Sequence, residues 1–248
     1  MCRSGHLPSV TNMNETKNAV ITGASRGLGL ALARGLAAAG WSLVIDARDA
    51  DTLRAAAAGL PGSARIIPLP GDITDPAHRA ALRDAAGELG GPDLLINNAG
   101  TLGTSPLPAI ADYPIAELRE AFEVNVLAPL ALTQLLLPAL RRHGGAVLNV
   151  TSDAAVEPYA GWGGYGAAKA ALEQASHVLA AEENTIRVWW VDPGDIRTRM
   201  HQEAFPGEDI SDRPLPETVV PGFLRLVTER LPDGRYRAAE LMPSGVAS

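Results

Sequence analysis

The single cysteine of the 248-residue chain, Cys2, has nothing to pair with. That excludes an internal disulfide and a cysteine-based metal cage, and it points to a reducing cytoplasm. Aromatic residues are scarce at 4%, so the core has to be aliphatic, drawn from a hydrophobic fraction of 46% rich in Ala, Leu and Val. Cations are outnumbered, 21 Lys and Arg against 28 Asp and Glu. A net charge of −7 leaves no basic face for a phosphate backbone, so nucleic acid is not an expected partner. No uninterrupted apolar run reaches the eighteen or so residues of a membrane span. The opening MCRSGHLPSVTNMNETKN lacks the apolar segment of a signal peptide. Residues 1–17 read as a flexible tail, with Met13 an alternative start. His143, His177 and His201 share no ligand spacing with one another or with carboxylates, so no metal is expected.

What is present is an alternation. Short apolar runs, AVIT (19–22), SLVIDA (42–47), RIIPL (65–69), DLLINN (93–98), AVLNVTS (146–152) and IRVWWVD (186–192), read as strands. Helical periodicity covers about 27–39, 49–59, 75–89, 115–142 and 162–183. Apolar runs of this kind suit strands covered on both faces, and the alternation implies right-handed crossovers in a parallel sheet. The expected fold is α/β, a Rossmann-like doubly wound parallel sheet with helices on both faces. With no internal repeat and no linker, residues 18–248 form one domain. After the sixth strand the pattern breaks. Residues 193–216 are polar and proline-rich, and they follow the carboxyl end of a strand, where ligands bind in such sheets; they are expected to form a substrate lid. The C-terminal GRYRAAELMPSGVAS shows no clear final helix.

Between the first strand and the first helix lies TGASRGLG (22–29). Gly23 permits a tight turn, Gly27 leaves room for a pyrophosphate against the backbone, and Gly29 lets the helix pack closely on the strand. Amides at the helix N-terminus then face the anion. Tyr165 and Lys169, four apart in YGAAK, share one helix face. An ammonium beside a phenol favours the phenolate, which makes the tyrosine usable as an acid–base group. Ser152 ends a strand thirteen residues earlier, at the same sheet edge, with Thr151 as a competing hydroxyl. Asp153, Glu157 and Tyr159 are placed to face substrate, and Trp162 is a candidate pocket wall.

The Gly-x-x-x-Gly-x-Gly pattern, NNAG (97–100) and YGAAK (165–169) together resemble the short-chain dehydrogenase/reductase family, from about residue 18 to 198. The resemblance implies a nicotinamide cofactor contacted by Gly23, Ser25, Arg26, Gly27, Leu28 and Gly29, then by Asp72, Ile73, Asn98, Ala99 and Gly100. Beyond these it implies contacts from Tyr165, Lys169, Pro193, Gly194 and Thr198. Asp72 resembles the residue that bonds the adenine amino group, Asn97 a sheet-stabilising asparagine, and Thr198 the threonine at the carboxamide. Ser152, Tyr165, Lys169 and Asn125 resemble the catalytic set, with Asn125 holding a water in a locally broken helix.

Cofactor choice turns on the tip of the second strand, IDARD. A carboxylate there binds a ribose diol, whereas an arginine accommodates a 2′-phosphate. Matching the strand to the family places Ala47 at the acid position and Arg48 at the base. With Arg26 nearby, NADP(H) is favoured over NAD(H); the other register returns Asp46 to the ribose. The implied activity is hydride transfer between the nicotinamide and a carbonyl or secondary alcohol in a carbonyl reductase or alcohol dehydrogenase, assembled as a homodimer or homotetramer. The alternatives are a cofactor-binding regulatory module without turnover and a non-redox member of the same fold.

Overall fold

The computed structural model describes residues 16–242, so Cys2 and Met13 lie outside the described residues. Seven parallel strands form one sheet in the order β3-β2-β1-β4-β5-β6-β7. They are β1 (Asn18–Ile21), β2 (Ser42–Ala47), β3 (Ile66–Pro70), β4 (Leu94–Asn97), β5 (Ala146–Val150), β6 (Arg187–Asp192) and β7 (Gly234–Arg237). The order reverses between β1 and β4, and the crevice outside the strand ends at that point is where ligands bind in this topology.

Strand alternation sorts the core into two layers. Ile21, Ile45, Ile96, Leu148 and Trp189 face one side, with α1 (Gly27–Ala38) and α8 (Val220–Glu229). Val20, Val44, Leu95, Val147 and Trp190 face the other, with α3 (Pro76–Glu88) and α5 (Ala128–His143). Helix ends are marked by side chains that compete with the helical backbone: Asp49 caps α2 (Ala50–Ala58) and Asp75 caps α3, each accepting from a first-turn amide. Gly144, left-handed at φ 58°, stops α5.

The continuous helix expected over 115–142 is three pieces: α4 (Ile115–Phe122), a π turn (Glu123–Leu127) and α5. By length and hydropathy alone residues 115–143 could cross a bilayer. Leu132, Leu136 and Leu140 instead fill the core. Two elements near the C-terminus were not anticipated. α8 begins with Val220, Pro221 and Gly222, poor helix formers, which mask an amphipathic stretch whose Val220, Phe223 and Leu226 are buried in the layer that holds α1. β7 is GRYR, a short polar edge strand that becomes a strand through its register with β6, Trp190 against Arg235. Residues 193–216 are also less irregular than their composition suggests: α7 (Arg199–Ala204) lies among them, capped by Thr198, which accepts from His201 N.

Candidate active site

A cavity of about 1290 Å³ runs along the carboxyl edge of the sheet, from Gly23 and Arg48 at one end to Ser152, Tyr165 and Phe205 at the other. Of the residues expected to contact cofactor or substrate, all line it but two: Asn125 is fully buried behind it, and Glu157, expected to face substrate, is instead exposed outside it.

The nucleotide end is shaped by backbone. Gly23 and Gly27 have φ of 66° and 55°, a region that side chains with a Cβ rarely adopt. A Cβ on Gly29 would collide with Gly23 O, so only glycine lets α1 start this close to the turn. Arg26 caps α1 without a side-chain bond to its first-turn amides. Asn98 braces the turn from β4: its Nδ2 donates to Thr22 O (2.9 Å) and Gly23 O (3.1 Å). Ser25 and Leu28 are buried beneath, and Ile73 closes the far wall. Asp72 accepts from Thr74 N and Oγ1, both at 2.8 Å, and these bonds hold its carboxyl below the usual range. Asn97 sits inside the sheet, with its Nδ2 on Asn149 Oδ1 (2.7 Å) and Thr133 Oγ1 (3.2 Å).

The tip of β2 shows a partner that sequence reasoning missed. Asp46 is only 2% exposed and turns inward. Its Oδ1 accepts from Gly23 N (2.7 Å) and its Oδ2 lies 3.1 Å from His78 Nε2 on α3. Both carboxylate oxygens are thus engaged within the protein where Asp46 meets the cavity lining, while Arg26 and Arg48 are exposed on the cavity rim. The histidine is 32 residues from the aspartate, a separation that no local motif covers.

At the reaction end, Ser152 leaves β5 and caps a short 3-10 turn (Asp153–Ala155). Gly166 lets α6 (Gly163–Glu182) press against Ala154 O, which brings Tyr165 to the serine. Lys169 is 3% exposed, and its Nζ donates to Val150 O at 2.8 Å. Desolvation pulls its pKa down to about 8. The phenol behaves contrary to expectation. Burial drives the Tyr165 pKa upward, the Ser152 hydroxyl opposes this, and Asp192 and Asp153 add to the rise. In the chain alone, burial outweighs any lowering by Lys169, whose Nζ stands 5.5 Å from the phenol ring centre and is itself starved of water.

Asn125 lies in the π turn. Its side chain pairs with the Thr101 backbone like a strand neighbour: Thr101 N donates to Oδ1 (3.0 Å) and Nδ2 donates to Thr101 O (2.8 Å). The amide therefore anchors the strand end that carries Ala99 and Gly100. Pro193 and Gly194 follow β6, where Gly194 N donates to Asp192 Oδ1 (2.9 Å).

Arg235, on the unforeseen β7, ties this end together. Its Nε donates to Glu173 Oε1 on α6 (3.0 Å) and its Nη2 to Ser152 O (3.2 Å), 3.5 Å from Asp192 Oδ2. Thr151 Oγ1 shares the same glutamate at 2.8 Å, so the hydroxyl that competed with Ser152 is engaged in the interior.

The residues present fit a nicotinamide dinucleotide. A cradle too narrow for side chains meets uncapped helix amides, and a buried ammonium has spent one of three donors. Fold and site together define a nicotinamide-dependent oxidoreductase of the doubly wound α/β class. The family model described as short chain dehydrogenase matches residues 17–209, and the chain belongs to that family. It is 36% identical over 195 residues to a rhamnolipid-biosynthesis 3-oxoacyl-[acyl-carrier-protein] reductase of Pseudomonas aeruginosa, covering 73% of each chain. It is 39% identical over 201 residues to the sepiapterin reductase of Meriones unguiculatus, covering 75% of this chain and 76% of that one. Among solved structures, an alcohol dehydrogenase of Thermococcus sibiricus complexed with 5-hydroxy-NADP superposes with a TM-score of 0.81 at 27% identity, covering 90% and 96%.

Proposed function

We propose that the protein is an NADP(H)-dependent reductase or dehydrogenase acting on a carbonyl or secondary alcohol. The observation that carries the cofactor choice is the inward turn of Asp46. With its oxygens on Gly23 N and His78, no carboxylate from β2 competes for the ribose, and Arg48 with Arg26 is left to meet a 2′-phosphate. A relative by structure binds an NADP derivative, which agrees with this choice.

When bound, the nicotinamide supplies or accepts the hydride. Tyr165 gives its phenolic proton to the substrate oxygen, or takes it in the reverse direction. Ser152 donates a hydrogen bond to the same oxygen, where charge develops. Lys169 keeps two donors for the ribose hydroxyls beyond the one on Val150 O. Asn125, whose side-chain amide is engaged on Thr101, would hold a relay water from the π turn. Thr198, Pro193, Gly194, Ala99 and Gly100 would hold the nicotinamide half of the cofactor, and Asp72 and Ile73 would hold the adenine. Residues 193–216 act as a lid whose Met200, Ala204 and Phe205 exclude water over Tyr165. Exposed Leu127, at the end of the π turn, and exposed Val178, on α6, suit a homodimer or homotetramer, and the lone cysteine suits the cytoplasm.

Paired titrations with NADPH and NADH test the reading. NADPH is expected to bind at least about tenfold more tightly, and Arg48→Ala should erase most of that difference. Equal affinities in the wild type would return the choice to NAD(H), and binding of neither would sink the oxidoreductase reading.

A further inference from the structure

The reaction end of the cavity holds a carboxylate that the hydride-transfer scheme leaves without a task. Asp153 directly follows Ser152 and lines the cavity. Its Oδ1 accepts from Ser152 Oγ at 3.0 Å and its Oδ2 from Tyr159 OH at 2.9 Å. A serine has one hydroxyl proton, so while it donates to Asp153 it cannot donate to a substrate oxygen. Substrate has to release it, and the aspartate then loses a donor inside a half-buried pocket, a loss that favours substrates able to replace that donor.

The surrounding charges say what kind of donor fits. Asp153, Glu157 and Asp195 all push the Tyr159 phenol upward, with no cation opposing them, and Asp153 acts on Tyr165 in the same sense. Of the cations at this end, Arg199 is engaged on Glu203, Arg235 on Glu173 and Ser152 O, Arg237 lies near Asp192, and Lys169 Nζ is held on Val150 O. The same cavity is lined by an aromatic cluster. Trp162 meets Tyr165 edge-on at 5.7 Å and Phe205 at 5.9 Å.

We infer that the substrate is an amino ketone or amino alcohol with an apolar or aromatic remainder, its ammonium held by Asp153 and its remainder lying on Trp162 and Phe205. The inference rests on the hydride-transfer reading above. With the reacting oxygen on Ser152 Oγ and the ammonium on Asp153 Oδ1, hydrogen bonds of about 3 Å place the nitrogen one or two carbons from the reacting carbon. The ammonium takes over the bond that Ser152 gives up, so binding the correct substrate frees the serine hydroxyl to act.

The test compares NADPH-dependent reduction of 2-amino-1-phenylethanone, acetophenone and benzoylformate in mildly acidic buffer, where the aliphatic amine is protonated. The expected kcat/KM is at least about tenfold higher for the ammonium ketone than for acetophenone, with benzoylformate slowest. Because an ammonium also activates the neighbouring carbonyl, the deciding quantity is how that ratio changes on substitution. Asp153→Asn should bring it down by about tenfold, whereas Asp84→Asn, on an exposed side chain of α3 outside the cavity, should leave it in place. A ratio unchanged in Asp153→Asn, equal rates on all three ketones, or benzoylformate as the fastest would overturn the inference and leave hydride transfer standing. If no ketone is reduced, the hydride-transfer reading fails, and calorimetry of the wild-type protein with 2-amino-1-phenylethanol and with mandelate judges the site by itself. Tighter binding of the amino alcohol supports an ammonium subsite; equal binding, or none, removes it.

Discussion

The two ends of the crevice are built differently. At the nucleotide end the cavity is lined largely by backbone, and the residues that shape it are close in sequence: Gly23 to Gly29 in one turn, with Asp72 and Asn98 each just past a strand. At the reaction end, side chains do the shaping and come from far apart. Ser152 is held by Arg235, 83 residues away, and Ser105 Oγ donates to Glu203 O across 98. A nucleotide presents the same phosphates and riboses to every protein that binds it, so a short backbone motif suffices. A substrate pocket has to match one molecule, and side chains converging from several strand ends supply that shape.

The strongest way to break this comparison is Tyr165→Phe. If the ends are separable, kcat falls about a thousandfold, as for loss of a positioned general acid, while NADPH affinity measured by fluorescence titration changes little. Retained turnover would remove the acid–base assignment, and a parallel loss of NADPH binding would show that the ends act as one.

Arg235→Met sharpens it. The substitution leaves Glu173 and Asp192, both largely buried, without their shared cation. Removing one partner of a buried ion pair costs about 3 kcal/mol, to be read as a fall in the urea midpoint at unchanged slope. A midpoint equal to that of the wild type would mean that β7 does not support the reaction end.

The smallest effect is expected from Lys169 and pH. Its folded-state pKa of about 8 lies below the ordinary 10.5. Between those values the unfolded chain holds a proton that the folded chain has released, so stability without nucleotide rises with pH from about 8. Tyr165 limits the window. Its phenol is raised above the ordinary 10.0, so ionisation of the unfolded chain above that value acts in the opposite direction. The gain between the two limits is up to about 2 kcal/mol, seen as a rising urea midpoint that Lys169→Met abolishes. A flat wild-type profile would mean that the ammonium is stabilised by something other than Val150 O.

Much of the scaffold was legible because its signals are local. Apolar runs marked six of the seven strands, and glycine spacing marked the turn, since each depends on residues a few positions apart. The register at IDARD was legible only by comparison with the family; that Asp46 is engaged inward depends on His78, which reaches it only after α3 docks on the sheet. The phenol at Tyr165 was misjudged for the same reason. An adjacent lysine is visible in the sequence, but the desolvation that outweighs it arises from packing against α7 and the strand ends.

By itself the sequence determined the doubly wound sheet and the glycine turn at its first strand, because periodicity and glycine placement act over one or two turns of chain, while Asn125, Ser152, Tyr165 and Lys169 were singled out as a set only through the family resemblance. Only the tertiary structure decided where Asp46 and Asp153 point, that GRYR is a strand, and which cation serves Ser152. Those outcomes are set by burial and by partners between six and 83 residues away, and a carboxylate or an arginine takes its role from whichever charge and whatever solvent the fold leaves beside it.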